Sequence, residues 1–197
     1  SKTLTHLLER RPTVLSRLWL SGYRAWELSV HGDGDPKLKV IKYLLKQSLT
    51  TYLEDGLEWL ITGGELGVEQ WALEVAFDLQ PTYPKLQTAL MLPFTDFGHQ
   101  WNESNQATLQ ALQQRVSFTT ATSQAPYSSP TQLSGYNRFM AQHTDGALFV
   151  YDTDYPGKAQ YAYAAAIAEG KRRDYPVQAI TVDDLEEAAR EMAADEE

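Results

Sequence analysis

The chain contains no cysteine. That absence excludes disulfides, thiolate metal sites and a cysteine nucleophile, and it suits a reducing cytoplasm. Basic residues are scarce as well: 17 Lys and Arg stand against 26 Asp and Glu, a formal charge of −9. A grip on a nucleic-acid backbone needs clustered cations, so nucleic-acid binding is disfavoured. Lys37, Lys39, Lys42 and Lys46 do gather, but at a spacing that makes them the wet face of a helix. No apolar run approaches the ~20 residues a membrane helix needs. The first residues, "SKTLTHLLERRPTVLSR", lack the apolar core of a secretion signal. Glu9 and the acidic body argue against an organellar presequence, and residues 1–16 read as an extension, a short helix or disordered. G-x-S-x-G, G-x-G-x-x-G and G-x-x-x-x-G-K-[ST] are all missing, which removes the serine-hydrolase elbow, the dinucleotide fingerprint and the P-loop.

What is present is an ordinary globular composition. The chain has 197 residues, 43% of them hydrophobic, which fits one domain over residues 17–197. A chain of that size removes roughly two-thirds of its unfolded surface from water. Periodicity divides it into alternating strands and helices. "RLWLSGY" reads as a buried strand. Asp35 and Pro36 open a helix whose apolar stripe is Leu38, Ile41, Leu45, Leu49 and Tyr52. "EWLITGG" is a second strand, and Val68, Ala72, Val75 and Leu79 mark one face of the helix beyond it. "KLQTALMLPF", "VSFTTATS", "DGALFVYD" and "PVQAITVDD" are further strands. Between and after them come a polar helix capped by Asn102 or Ser104, the helix "YNRFMAQHT", the helix "KAQYAYAAAIAEGKRR" and an acidic terminal helix. The rhythm predicts a Rossmann-like α/β three-layer sandwich: a mostly parallel sheet with helices on both faces.

In such sheets ligands sit beyond the carboxyl ends of the strands, where strand order reverses. Three turns at that edge share small residues and charge. The first carries Ser21, Gly22 and Arg24; the second carries Gly63, Gly64, Glu65, Gly67 and Glu69; the third carries Asp152, Gly157 and Lys158. Backbone N–H groups at helix starts favour anions, and Arg24 and Lys158 add charge-assisted contacts. Each turn alone can be only a tight bend, but three on one edge point to an anion pocket. Glu69 falls in the first turn of its helix, where it can simply complement the helix dipole. Its functional alternative is to accept ribose hydroxyls or to act as a general acid or base at a glycosidic bond. Trp71 either stacks on a base or sits in the core, the core being favoured, and Glu65 can be merely solvated. Asn137 and Arg138 follow the polar segment Gln124 to Gly135, which stands where a lid would or forms an ordered surface loop. His31, Asp33 and Asp35 alternate as metal ligands do, but a polar loop with a helix cap explains them better, and no metal site is assigned. His99 and His143 are isolated.

The segments "LWLSGYRAWELSV", "GLEWLITGGELGVEQWALEVA", "ALMLPF" followed by Trp101, "PYSSPTQ", "NRFM" and "DGALFVYD" occur in that order between Arg17 and Asp184. In this the chain resembles the bacterial YpsA-type family of the SLOG superfamily, whose relatives include the lonely-guy phosphoribohydrolases and the DNA-processing protein DprA. The resemblance implies a pocket for a nucleotide or nucleotide-derived ligand of NAD or ADP-ribose type, with Gly63, Gly64, Gly67, Glu69 and Trp71 in the family's glycine motif. "RFMAQHTDGALFV" is similar to the Arg, Met and Asp segment that precedes the phosphoribohydrolase glycine loop. Where those enzymes continue with Pro-Gly-Gly-x-Gly-Thr and a catalytic Glu, this chain reads "YDTDYPGKAQY". Ligand binding is therefore better supported than hydrolysis. The expectation is a cytoplasmic nucleotide-ligand-binding protein, a sensor or regulator, with no cofactor assigned beyond a candidate bound nucleotide of NAD or ADP-ribose type. The alternative is a nucleotide N-glycosidic-bond hydrolase in which Glu69 is catalytic while Arg24 and Lys158 hold phosphate. DNA binding in the manner of DprA is set against the acidic charge, and a homo-oligomer is left open.

Overall fold

A computed structural model describes residues 15–196. The first fourteen residues of the expected extension lie outside the described residues. Residues 15 and 16 are tied to the domain: the Ser16 carbonyl accepts the N–H groups of Glu58 and Trp59, and Leu15 packs against the core.

Six strands form one sheet, β1 (Arg17–Gly22), β2 (Trp59–Thr62), β3 (Gln87–Leu92), β4 (Phe118–Ala121), β5 (Gly146–Val150) and β6 (Val177–Ile180). Six helices alternate with them among the described residues: α1 (Pro36–Glu54), α2 (Val68–Leu79), α3 (Glu103–Arg115), α4 (Thr131–Gln142), α5 (Gln160–Arg172) and α6 (Val182–Asp195). The strand order is β4-β3-β2-β1-β5-β6 and every pairing is parallel. Right-handed crossovers place α1, α2 and α3 on one face of such a sheet and α4 and α5 on the other. The packing agrees, since α1 lies against α2 and α6 while α4 lies against α5. This is the three-layer Rossmann-like architecture that the alternation implies.

The local chemistry explains the element boundaries. The Asp35 carboxylate accepts the Lys37 N–H at 3.0 Å and so caps α1, with Pro36 in its first position. Hydrogen bonds from the Lys37 and His31 amides hold that carboxyl below its ordinary value. Leu38, Ile41, Leu45 and Leu49 are buried as the stripe requires, with Leu53 completing it while Tyr52 is half-buried, its hydroxyl bonding Gln178. Each fully buried leucine contributes roughly 1.5–3 kcal/mol. Asn102, rather than Ser104, caps α3. One departure concerns the segment expected as a loop or lid up to Gly135. α4 begins at Thr131, because Gln132 turns back and its side-chain oxygen takes the N–H groups of Ser128 and Ser129.

The chain leaves β1 toward β4, then returns through α4 to β5 on the other side of β1. Strand order therefore reverses between β1 and β5, whose register runs from Leu18 opposite Gly146 to Gly22 opposite Val150. Both strands at the reversal are enclosed, with Leu18, Trp19 and Leu20 of β1 fully buried and Trp19 packed edge-on to Phe149 of β5 at 5.4 Å.

Candidate functional site

The turns after β1, β2 and β5 meet above that reversal. Arg24 and Gly67 form an isolated antiparallel bridge, flanked by the Ala25 N–H on the Leu66 carbonyl at 3.0 Å and the Val68 N–H on the Tyr23 carbonyl at 3.1 Å. The turn after β5 is fastened by Tyr23, whose hydroxyl accepts the Asp152 N–H at 2.9 Å and donates to the Tyr155 carbonyl at 2.8 Å. Between these turns and α4 and α5 lies an open cleft of about 1360 Å³. The convergence expected from the sequence is present.

Glu69 occupies the deep end. It is only 6% exposed, and its carboxylate takes the Ser21 hydroxyl at 2.9 Å and the Glu65 N–H at 3.0 Å. Burial raises its carboxyl to about 7, with the nearby Glu65 charge adding to the rise while Arg24, the Glu65 N–H and Ser21 oppose it. Arg24 is partly engaged, its guanidinium standing 3.4 Å from the Glu65 carboxylate. Beside Glu69 lies Tyr136 of α4, 8% exposed, with a hydroxyl that has no hydrogen-bond partner among the described residues. Gly63 separates the two: a Cβ there would stand 2.5 Å from Glu69 Oε1 and 2.6 Å from Tyr136 Oη. Burial pushes the Tyr136 hydroxyl well above its ordinary value, so it remains protonated and able to donate.

The expectation of free amides at these turns needs correction. Glu27, in the 3-10 turn Ala25–Leu28, accepts the Arg24 N–H at 2.8 Å and the Lys158 N–H at 3.0 Å. Its Oε2 lies 1.9 Å from where a Cβ on Gly157 would stand. A carboxylate of the protein thus occupies the anion position that Gly157 and Lys158 create. The Glu65 and Val68 amides are likewise taken, by Glu69 and by the Tyr23 carbonyl. Four of the turn amides are thus engaged within the protein, and Arg24 and Lys158 add side-chain charge for a phosphate.

A family model described as the YspA SLOG family matches residues 18–185. The chain belongs to that family. A "UPF0398 protein" of Lacticaseibacillus casei is 62% identical to it over 180 residues, covering 91% of this chain and 94% of the relative. A protein of the same description from Lactiplantibacillus plantarum is 52% identical, covering 91% and 95%. Another, from Latilactobacillus sakei, is 51% identical, covering 91% and 96%.

In this YspA SLOG chain, Ser21, Arg24, Gly64, Glu65, Glu69, Asn137, Gly157 and Lys158 line the cleft as anticipated. Gly22, Gly63 and Gly67 support it from behind: Gly22 closes the β1 register against Val150, and Gly67 makes the bridge to Arg24. Trp71 packs in the main apolar core, the placement favoured from the sequence. Two anticipated residues stand outside the wall. Arg138 is exposed and not part of the wall, although its neighbour Asn137 is. Asp152 spends its carboxylate on the Val182 N–H at the start of α6 and on the Asp154 N–H. His31, Asp33 and Asp35 make no metal site, and among the described residues no group of three or more His, Asp or Glu could hold a metal ion.

The sequence reading missed Tyr136, Glu27 and the aromatic rim of Trp26, Tyr155 and Tyr161, exposed by 63%, 61% and 68%. Glu27 did leave a trace, an acid three residues beyond the start of a turn, as a reciprocal cap requires. No helix is long and apolar enough to cross a membrane among the described residues.

Proposed function

We propose that the cleft binds a nucleotide or nucleotide-derived ligand of NAD or ADP-ribose type, and that the protein is a cytoplasmic sensor or regulator of that ligand. The observation that supports this is the meeting of three recognition chemistries in one cleft at the strand-order reversal. Open aromatic faces at Trp26, Tyr155 and Tyr161 suit a base, which stacks on aromatic rings for about 1–3 kcal/mol each. Arg24 and Lys158 suit phosphate, and the Glu69 carboxylate suits sugar hydroxyls. Because Glu27 takes the Arg24 and Lys158 amides, phosphate contact at those two positions falls to their side chains.

A thermal-shift series with AMP, NAD and ADP-ribose tests the reading. A ligand at one hundred times its dissociation constant adds ~2.7 kcal/mol to the folded state. A flat response to all three at millimolar concentration rejects it. One observation favours the second reading, N-glycosidic hydrolysis. A buried acid with its pKa near 7 is matched to general acid or base work at neutral pH. Released base or nicotinamide, followed by chromatography after incubation with the same ligands, selects hydrolysis; stabilisation without release selects the sensor.

A further inference from the structure

We infer that Tyr136 is a specificity-determining residue of this cleft, and that together with Glu69 across Gly63 it forms a socket for the vicinal hydroxyls of a ribose. The inference rests on the nucleotide reading and specifies which part of such a ligand enters the deep end.

The first argument is satisfaction. A buried hydroxyl without a partner costs about 1–3 kcal/mol in a folded protein and is rare in one. Tyr136 carries such a hydroxyl, buried from solvent, on a side chain that belongs to the core and also lines the cleft. A ligand group that accepts its proton recovers that cost, so the free state is held ready for one.

The second argument is charge. Glu69 and Glu65 stand together at this end with one guanidinium, which is already paired to Glu65 at 3.4 Å. A phosphate dianion entering here would meet two carboxylates and the edge of a tyrosine in poorly solvated surroundings. A neutral diol meets no such penalty. One hydroxyl can donate to Glu69 Oε1 while its neighbour accepts from Tyr136 Oη, so both protein atoms and both ligand oxygens are used.

The third argument is convergence. The two oxygens meet over Gly63, where an added Cβ would collide with both, at 2.5 Å from Glu69 Oε1 and 2.6 Å from Tyr136 Oη. Ser21 holds the other carboxylate oxygen at 2.9 Å, and Oε1, which accepts the Glu65 N–H at 3.0 Å, faces Gly63 with a second lone pair to offer.

The test is calorimetric titration of AMP and of its 2′,3′-dideoxy counterpart into the wild-type protein and into Tyr136→Phe. The wild type should prefer AMP by about a hundred-fold. Tyr136→Phe should narrow that preference to about ten-fold, a loss of ~1.4 kcal/mol, while binding the dideoxy probe as the wild type does. Its melting temperature without ligand should equal or exceed that of the wild type, because only an unpartnered oxygen is removed. Gly63→Ala, whose methyl group would push both oxygens aside, should erase the preference by a second route. A Tyr136→Phe protein that keeps the wild-type preference overturns the socket and leaves nucleotide binding standing. Failure of both probes to bind the wild type overturns the nucleotide reading, and the socket with it.

Discussion

The Glu27 carboxylate joins two turns that are 131 positions apart in the chain, taking the Arg24 N–H at 2.8 Å and the Lys158 N–H at 3.0 Å. This is how the protein meets its own anion requirement: the donors at the start of a helical segment already have a negatively charged acceptor. Removing that acceptor as Glu27→Ala should destabilise the fold by about 1–3 kcal/mol, since two amides lose their partner. It should also open a second anion position. Inorganic phosphate at millimolar concentration should raise the stability of the variant in urea unfolding more than that of the wild type. Equal responses would show that the two amides do not form an anion position.

A second prediction concerns pH. The Glu69 carboxyl is raised from 4.5 to about 7 in the folded protein, chiefly by burial and secondarily by Glu65. Between those values the folded chain keeps a proton that the unfolded chain has released. Stability therefore falls as pH rises from about 4.5 to about 7 and levels off above, by an amount on the order of 3 kcal/mol. Arg24, Ser21 and the Glu65 N–H already offset part of the cost of ionisation. Glu69→Gln removes this one slope. Urea unfolding of both proteins at pH 5, 6, 7 and 8 should show the variant gaining on the wild type up to about pH 7.5 and then running parallel to it. A constant difference across the range would mean that Glu69 ionises as an ordinary surface acid.

Gly67 makes a sharper steric demand. It holds φ at +137°, and a Cβ there would lie 2.6 Å from the Ala25 nitrogen and from the Tyr23 carbonyl oxygen. These are the backbone atoms that sew the turn after β1 to the start of α2. Gly67→Ala combines left-handed strain with a backbone clash and should cost more than about 2 kcal/mol. It should also loosen the Ser21 to Glu69 hydrogen bond, because the first turn of α2 must shift. Gly34→Ala is the control: nothing lies within 4 Å of its added Cβ, and it should stay within about 0.5 kcal/mol of the wild type. Parallel denaturant curves for the three proteins give the comparison.

The order of strands and helices was legible because each element carries its own period and punctuation. α2 runs from Val68 to Leu79, as its apolar face and the following "QPTYP" require, and Asp35 caps α1 through its side chain. The start of α4 was not legible, because Thr131 to Gly135 reads as loop until Gln132 folds back on Ser128 and Ser129. The same division holds at the cleft. Ser21, Arg24, Glu69 and Lys158 announce themselves by lying in or beside the turns at the carboxyl edge of the sheet. Tyr136 does not, since a tyrosine on the buried face of a helix looks like core until the space over Gly63 is known. Amide occupancy was equally hidden, because the acceptor for Lys158 comes from a turn at the other end of the chain.

The rim provides the last prediction. Trp26 is 63% exposed, so its ring contributes little to the core, and the Lys158 ammonium stands 5.8 Å from its centroid. A large apolar face left open at the mouth of a cleft has a solvation cost that a stacked base would remove. Trp26→Ala should therefore leave unliganded stability within about 0.5 kcal/mol of the wild type. It should weaken AMP by roughly ten-fold or more, in keeping with about 1–3 kcal/mol for one base on one aromatic ring. Ribose 5-phosphate, which has the sugar and the phosphate but no base, should bind wild type and variant alike. Titration of both ligands into both proteins separates a stacking role from a general loss of cleft shape, because damage to the shape would weaken the two ligands together.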